Sequence, residues 1–309
     1  MEGAQETPTS EFGGEEHTPL VLLVNPTSGG GRALKLLPRV EAALDARRVP
    51  FRVVRTKSLA HGVAKALDAI EAGELPVVIG GDGLVGAIGG AMAGVGEVPL
   101  GIVPVGRGND LARVLGIPTD PEEAIEIVLV GHTRTIDIGE VNGKPFLGIA
   151  SVGFDSEANR IANESRLGGN LVYAYAALRA LFAWKPARFT IAIGEIRTRV
   201  EGYSVIVANN SAYGGGMYVA PDARLDDAQF DVVTIARVGK LRFLGNLPKV
   251  FKGTHVRNDE VQVVRAARLS ISASRPFAVY ADGERLTDLP ADLRVIPSAL
   301  RVLVPPVAA

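Results

Sequence analysis

Four carboxylates sit where the local residue types suggest chemistry: Asp82 in "GGDG" (80–83), Asp110 at the end of "GRGND" (106–110), and Asp282 and Glu284 in "DGE" (282–284). The first two lie in glycine-rich turns of the kind that hold phosphate, because N–H groups at a helix start take phosphate oxygens and glycine lets the backbone approach. A carboxylate at the centre of such a turn repels phosphate unless a cation lies between them. Mg2+ suits that place, since it takes a few carboxylate and phosphate oxygens and keeps several waters. The combination is that of phosphoryl transfer, in which the protein mostly positions the reactants.

The same stretch, "VVIGGDGLVGAIGG" (77–90), also matches a dinucleotide fingerprint through Gly81, Gly83 and Gly86. Two further demands of that fingerprint fail. It belongs to the first strand–helix turn, whereas this turn follows the third strand, and it expects an acid about 20 residues on, at the tip of the next strand. That strand ends in Pro104-Val105-Gly106-Arg107 instead. No GxxxxGK[ST] phosphate loop occurs in the chain.

The elements that must position these residues follow from periodicity. "LVLLVN", "FRVVRT", "PVVIGG" and "LGIVPVG" predict strands, separated by helical patterns such as Leu36, Leu37, Val40 and Leu44. Strand–helix alternation predicts a parallel, doubly wound sheet, with ligands outside the carboxyl ends of the strands. Those ends carry "NPTSGGG" (25–31), Thr56, "GGDG" and "PVGRGND", where Asn25, Thr27, Ser28 and Asn109 add side-chain hydrogen-bonding groups. Asp120, Pro121 and Glu123 predict a capped helix start. After about Thr133 the segments become short, alternating and turn-rich, which predicts a mostly antiparallel second domain. Helical insertions are expected near 156–185 and 240–253.

At 309 residues and 47% apolar, the chain is long enough for about two domains. Its net charge of -1 gives no global attraction to nucleic acid, and the lack of cysteine excludes disulfides and Cys-ligated metal. Residues 1–19 read as a disordered acidic tail without the pattern of a signal peptide. No stretch is long and apolar enough for a transmembrane helix. Cysteine-free composition fits a cytoplasmic setting.

Taken together, "NPTSGGG", "GGDG", "PxGxGND-LAR" (104–113) and the late "DGE" resemble the diacylglycerol kinase catalytic-domain family, which includes sphingosine and ceramide kinases. The order and spacing match from about 20 to 305, nearest to soluble bacterial diacylglycerol kinases. The resemblance implies an α/β, Rossmann-like nucleotide-binding domain over 20–137, a β-sandwich over 138–292, and residues 293–309 returning to the first domain. It further implies ATP and Mg2+ as cofactors. Asn25, Pro26, Thr27, Ser28, Gly29, Thr56, Gly80, Gly81, Asp82, Gly83, Leu84, Gly86, Gly106, Arg107 and Asn109 would surround the nucleotide, while Asp82 and Asp110 would organise the metal and its waters. Asp282 or Glu284 would be the general base, a choice the sequence leaves open. A second, structural Mg2+ would be held by the Asp227 side chain and the main-chain carbonyls of Arg224 and Gln229.

Three family residues are missing: the usual "GGDGTxNE" is "GGDGLVGA" here, with Leu84 and Gly86 at hydrogen-bonding positions, and Arg107 replaces a common threonine. A guanidinium at 107 is the candidate for the lost contacts. The "NSAYGGG" stretch (210–216) reads as a loop, which the resemblance puts near the cleft. Arginines and aromatics between Arg160 and Lys185 are consistent with either a core helix or one lying on an anionic membrane. The expected activity is an ATP-dependent lipid kinase acting on a diacylglycerol-class lipid, giving phosphatidic acid at the inner face of the membrane. Alternatives are a kinase for another lipid or for NAD, and a non-catalytic nucleotide or lipid sensor. Oligomeric state is left open, with a homodimer among the options.

Overall fold

A computed structural model describes residues 18–164, 179–181 and 183–306. The expected helix around 171–184 therefore lies largely outside the described residues. The first half of the chain alternates β1 (Leu20–Val24), α1 (Arg32–Ala46), β2 (Phe51–Arg55), α2 (Leu59–Glu71), β3 (Leu75–Gly80), α3 (Asp82–Met92) and β4 (Gly101–Pro104). Two further helices follow, α4 (Asp110–Val114) and α5 (Pro121–Val130). The four strands pair in parallel in the order β2-β1-β3-β4. β1 and β3 are buried along their whole length, as apolar runs between two helical layers must be. The chain reverses direction across the sheet between β1 and β3, and the loops leaving them diverge there, leaving a crevice at their carboxyl ends. α5 starts as expected: Asp120 accepts the N–H groups of Glu122 and Glu123 at 3.0 and 3.3 Å.

The rest forms a large antiparallel sheet. Its strands are β5 (Thr133–Val141), β6 (Lys144–Phe146), β7 (Ile149–Gly153), β8 (Ala187–Ile193), β9 (Ile196–Ala208), β10 (Phe230–Ala236), β11 (Val261–Ala266), β12 (Arg268–Ala273), β13 (Ala278–Ala281), β14 (Glu284–Asp288) and β15 (Ala291–Leu303). Nine of them run in the order β14-β13-β7-β9-β8-β12-β15-β5-β6, with β10 joining β9 to β11. Helices α6 (Phe154–Glu164) and α7 (Lys240–Val250) accompany this sheet. An aromatic cluster fills the core beneath them; Phe243 stacks on Tyr203 at 4.2 Å and meets Phe154 edge-on at 4.9 Å. Among the described residues no helix is long and apolar enough to cross a membrane.

Two features lock the halves together. The end of β15 reaches the edge of the parallel sheet, where the Leu100 N–H donates to the Arg301 carbonyl at 2.9 Å and the Leu303 N–H donates to the Leu100 carbonyl at 3.0 Å. On α3, glycines form a close-packed seam. A Cβ on Gly89 would lie 2.7 Å from Leu147, and one on Gly90 would lie 2.7 Å from Pro145. The small residues of α3 thus bring β6 and its following turn against the helix that begins with Asp82.

Candidate active site

Three glycine loops meet at the crevice by backbone contact. At the end of β1, Asn25 folds back so that its Oδ1 accepts the Thr27 N–H at 3.0 Å and the Thr27 hydroxyl at 2.9 Å, shaping the turn after Pro26. Gly29 follows with φ of 61°, and a Cβ there would lie 2.4 Å from the Val105 carbonyl oxygen. Gly81 and Gly106 touch in the same way: a Cβ on Gly106 would come within 2.5 Å of the Gly81 Cα. Ser28 is buried beside Gly81, and Thr56 is buried at the end of β2, donating its hydroxyl to the Val24 carbonyl at 3.2 Å.

Asp82 ties two of these loops together. As the first residue of α3 it accepts the Asn109 N–H at 2.7 Å and the Asp110 N–H at 2.7 Å, one on each oxygen, so it caps α4 from outside. Asn109 is left-handed, with φ of 52°; its Nδ2 donates to the Gly106 carbonyl at 3.2 Å, and its buried Oδ1 has no partner among the described residues. Asp110 reaches across the crevice to the other domain. Its carboxylate accepts the Gly215 N–H at 3.0 Å and the Gly216 N–H at 3.1 Å, which puts the "NSAYGGG" stretch at the cleft. Burial raises the Asp110 pKa, the Gly215 N–H pulls it back, and the charge of Asp82 raises it again.

Asp282 closes the site from the β13–β14 turn. It is left-handed, with φ of 50°, and accepts N–H groups of the β6–β7 turn: Leu147 at 2.7 Å, Gly148 at 2.9 Å and Ile149 at 3.3 Å. Desolvation pushes its carboxyl up to about 6 against the pull of those N–H groups, and the charge of Asp82 adds to the rise. Its Oδ2 would lie 3.2 Å from a Cβ on Gly86, so glycine at that position keeps this oxygen uncovered on the α3 side. Glu284, exposed at the start of β14, would have its Oε1 3.7 Å from a Cβ on Gly83. The two acids of "DGE" thus approach the same first turns of α3, Asp282 from within and Glu284 from the solvent side.

Leu84 does not face the phosphate loops. Its side chain is 2% exposed and packs toward α2, where a Cβ on Gly62 would come within 2.8 Å of it. Two residues along the helix turn its side chain roughly 200° away from that of Asp82, which the loop pattern in the sequence does not reveal. Arg107 is exposed at the tip of the β4–α4 loop, and Gly80 lies at the buried end of β3.

Among the described residues none of Asp82, Asp110, Asp282 and Glu284 forms an ion pair, although Asp82 raises the pKa of both Asp110 and Asp282. Arg113 acts on Asp110 from a distance, and carboxylates in one another's field that form no ion pair fit a hard divalent cation held through water. The loop 222–231 is different. Its Asp226 pairs with Arg134 at 2.8 Å and Arg224 at 3.2 Å, Asp227 lies 3.4 Å from Arg265, and Asp231 accepts from Arg265 at 3.2 Å. The other oxygen of Asp227 accepts the Gln229 N–H at 3.1 Å. The Asp227 side chain, the one side-chain ligand expected for a second ion, thus faces the Arg265 guanidinium.

Away from the cleft, Asp137 is a buried acid in β5 for which the motifs predicted no role. Its carboxylate accepts the Ala228 N–H at 2.6 Å and the Ser298 N–H at 2.8 Å, and its carbonyl accepts from Asn209 at 2.9 Å. It pins the 222–231 loop and the bend of β15. An aspartate inside the apolar "TIDIG" was the available signal.

Comparison with known proteins agrees with this architecture. Residues 19–141 match the model of the diacylglycerol kinase catalytic domain, and residues 148–304 match that of the YegS C-terminal NAD kinase beta sandwich-like domain. A diacylglycerol kinase of Mycobacterium tuberculosis is 36% identical over 298 residues, covering 92% of this chain and 94% of that protein. A Pseudomonas aeruginosa protein named "Probable lipid kinase YegS-like" is 32% identical over 273 residues, covering 86% and 89%. Among solved structures, a diacylglycerol kinase from Bacillus anthracis shares the fold with a TM-score of 0.71 at 20% identity, covering 94% and 98%. Yeast NADH kinase shares it more distantly, with a TM-score of 0.53 at 11% identity, covering 94% and 84%. Motifs, topology and relatives converge, and the chain belongs to the diacylglycerol kinase catalytic-domain family of lipid kinases.

Proposed function

We propose that the protein transfers the γ-phosphoryl group of ATP, with Mg2+, to the free hydroxyl of a diacylglycerol-class lipid, giving phosphatidic acid. The observation that carries this reading is the unpaired acidic cluster at the sheet's switch point, with Asp82 and Asp110 on one wall and Asp282 on the other. When bound, Mg2+ and ATP supply the phosphoryl group and the neutralising charge. The chain's own part is to position. N–H groups of the glycine loops, Asn25, Thr27 and Ser28 hold the nucleotide, and Asp82 keeps the β4–α4 loop in register with them. Asp282 accepts the proton of the lipid hydroxyl through the oxygen that Gly86 leaves uncovered, a role suited to a carboxyl raised to about 6. Glu284 orients the acceptor from the rim.

The acceptor class follows from the relatives, which are named diacylglycerol kinase and lipid kinase. The second domain holds a small cavity of about 70 Å³, with apolar walls from Phe154, Ile206, Phe243, Leu247 and Val250 and polar groups from Asn246, His255 and Glu260. NAD phosphorylation is the competing activity, favoured by the shared fold alone. The test is transfer of label from ATP in the presence of Mg2+ to diacylglycerol, monoacylglycerol, sphingosine, phosphatidylglycerol and NAD. Label in diacylglycerol that disappears in Asp82→Ala and Asp282→Ala is the expected result. Label in NAD, or none anywhere while ATP binds, overturns it.

A further inference from the structure

α7 carries apolar residues on both sides. Phe243, Asn246, Leu247 and Val250 recur at i, i+3, i+4 and i+7 and line the small cavity. Leu241, Leu244, Pro248 and Phe251 recur at i, i+3, i+7 and i+10 on the opposite side. That second stripe faces outward: Leu241 is 87% exposed, Leu244 37% and Phe251 55%. A surface helix with one apolar stripe already buried needs no second one, and here the exposed apolar residues lie along one face rather than scattered singly. The charge around the stripe is one-sided. From Val238 to Asn258 there are five lysines and arginines and no aspartate or glutamate, in a protein whose net charge is -1. Arg242 meets Glu260 at 2.7 Å and Lys249 donates to the neutral Asn258 at 3.0 Å, while Asp259 and Glu260 follow directly after the segment. Exposed Lys252 and Arg257 extend the basic edge beyond the helix.

From this we infer that the outer face of α7, with Leu241, Leu244 and Phe251 as the apolar wedge and Lys249, Lys252 and Arg257 as its basic flank, docks the protein on an anionic phospholipid bilayer. Charge complementarity selects that occupant over a neutral membrane, and lysine stems beside an apolar wedge suit the headgroup boundary, where the apolar side chains enter and the ammonium groups stay among phosphates. The inference rests on the lipid-kinase reading for its purpose.

The experiment is co-sedimentation of the full chain, without ATP or substrate, with vesicles of phosphatidylcholine alone or mixed with phosphatidylglycerol. The protein is expected to bind the mixed vesicles, to ignore the neutral ones and to be released by high salt. Leu241→Glu with Phe251→Glu is expected to weaken binding by about tenfold or more, and Lys249→Glu with Lys252→Glu to abolish the preference for phosphatidylglycerol. Melting curves and phosphotransfer to a dispersed short-chain diacylglycerol serve as controls. Undiminished binding in folded variants, or equal binding to both vesicles, overturns the inference while leaving the kinase reading intact. A change from dimer to monomer in the first variant with vesicle binding unchanged also overturns it, and assigns the face to a second copy of the chain.

Discussion

Two acidic regions of this molecule are built from the same side chain and settle their charge in opposite ways. In the 222–231 loop, Asp226, Asp227 and Asp231 are met by Arg134, Arg224 and Arg265. In the cleft, Asp82, Asp110 and Asp282 accept main-chain N–H groups and form no ion pair, although the Arg113 guanidinium acts on Asp110 from a distance. N–H groups orient a carboxylate without cancelling its charge at longer range, whereas an arginine cancels it, so the cleft keeps more uncompensated negative charge than the loop. The loop is thereby a finished structural joint. The cleft is charged toward a ligand, and in the proposed reaction that ligand is a metal–nucleotide pair.

The comparison can be broken hardest at Asp282. Replacing it with alanine is expected to lower kcat by about 10²–10⁴, the usual contribution of a general base. In the wild type, kcat/KM is expected to fall about tenfold per pH unit below about 6, because the base loses its lone pair as it is protonated. A flat profile from pH 5 to 8 would contradict that role. Next comes the backbone contact on which the cleft depends. Gly106→Ala places a Cβ 2.5 Å from the Gly81 Cα, where no side chain can yield, and should cost about 1–3 kcal/mol in denaturant unfolding.

On the loop side the effects are smaller. Arg265→Met leaves Asp231, which is 5% exposed, without its cation. With the arginine itself half exposed, a loss of about 1–2 kcal/mol is expected, measured by urea unfolding. Asp226→Ala removes only partly exposed pairs and is expected to cost less than about 1 kcal/mol, with phosphotransfer unchanged.

Much of the cleft was legible in the sequence because its parts are local. A glycine turn with an aspartate between a strand and a helix declares itself within a few residues, and "GGDG", "GRGND" and "DGE" each did so. What remained hidden depends on long-range closure. Nothing near Asp110 announces that its carboxylate takes N–H groups from Gly215 and Gly216, more than a hundred residues away. Leu84 looked like a change at the phosphates because spacing along the loop does not show which way the first helical turn points. It is a core residue fitted to Gly62. Gly86, by contrast, does bear on the site, through the room it leaves beside Asp282. The arginines of the 222–231 loop come from β5 and β11 as well as from the loop itself, so its ion pairing was invisible in "PDARLDDAQFDV" alone.

Mn2+, standing in for Mg2+, reports the contrast directly by electron paramagnetic resonance in the presence of a non-hydrolysable ATP analogue. One bound Mn2+ is expected, lost in Asp82→Asn and retained in Asp227→Asn. A signal that survives Asp82→Asn and disappears in Asp227→Asn would contradict the account, because the cation would then belong to the loop and not to the cleft.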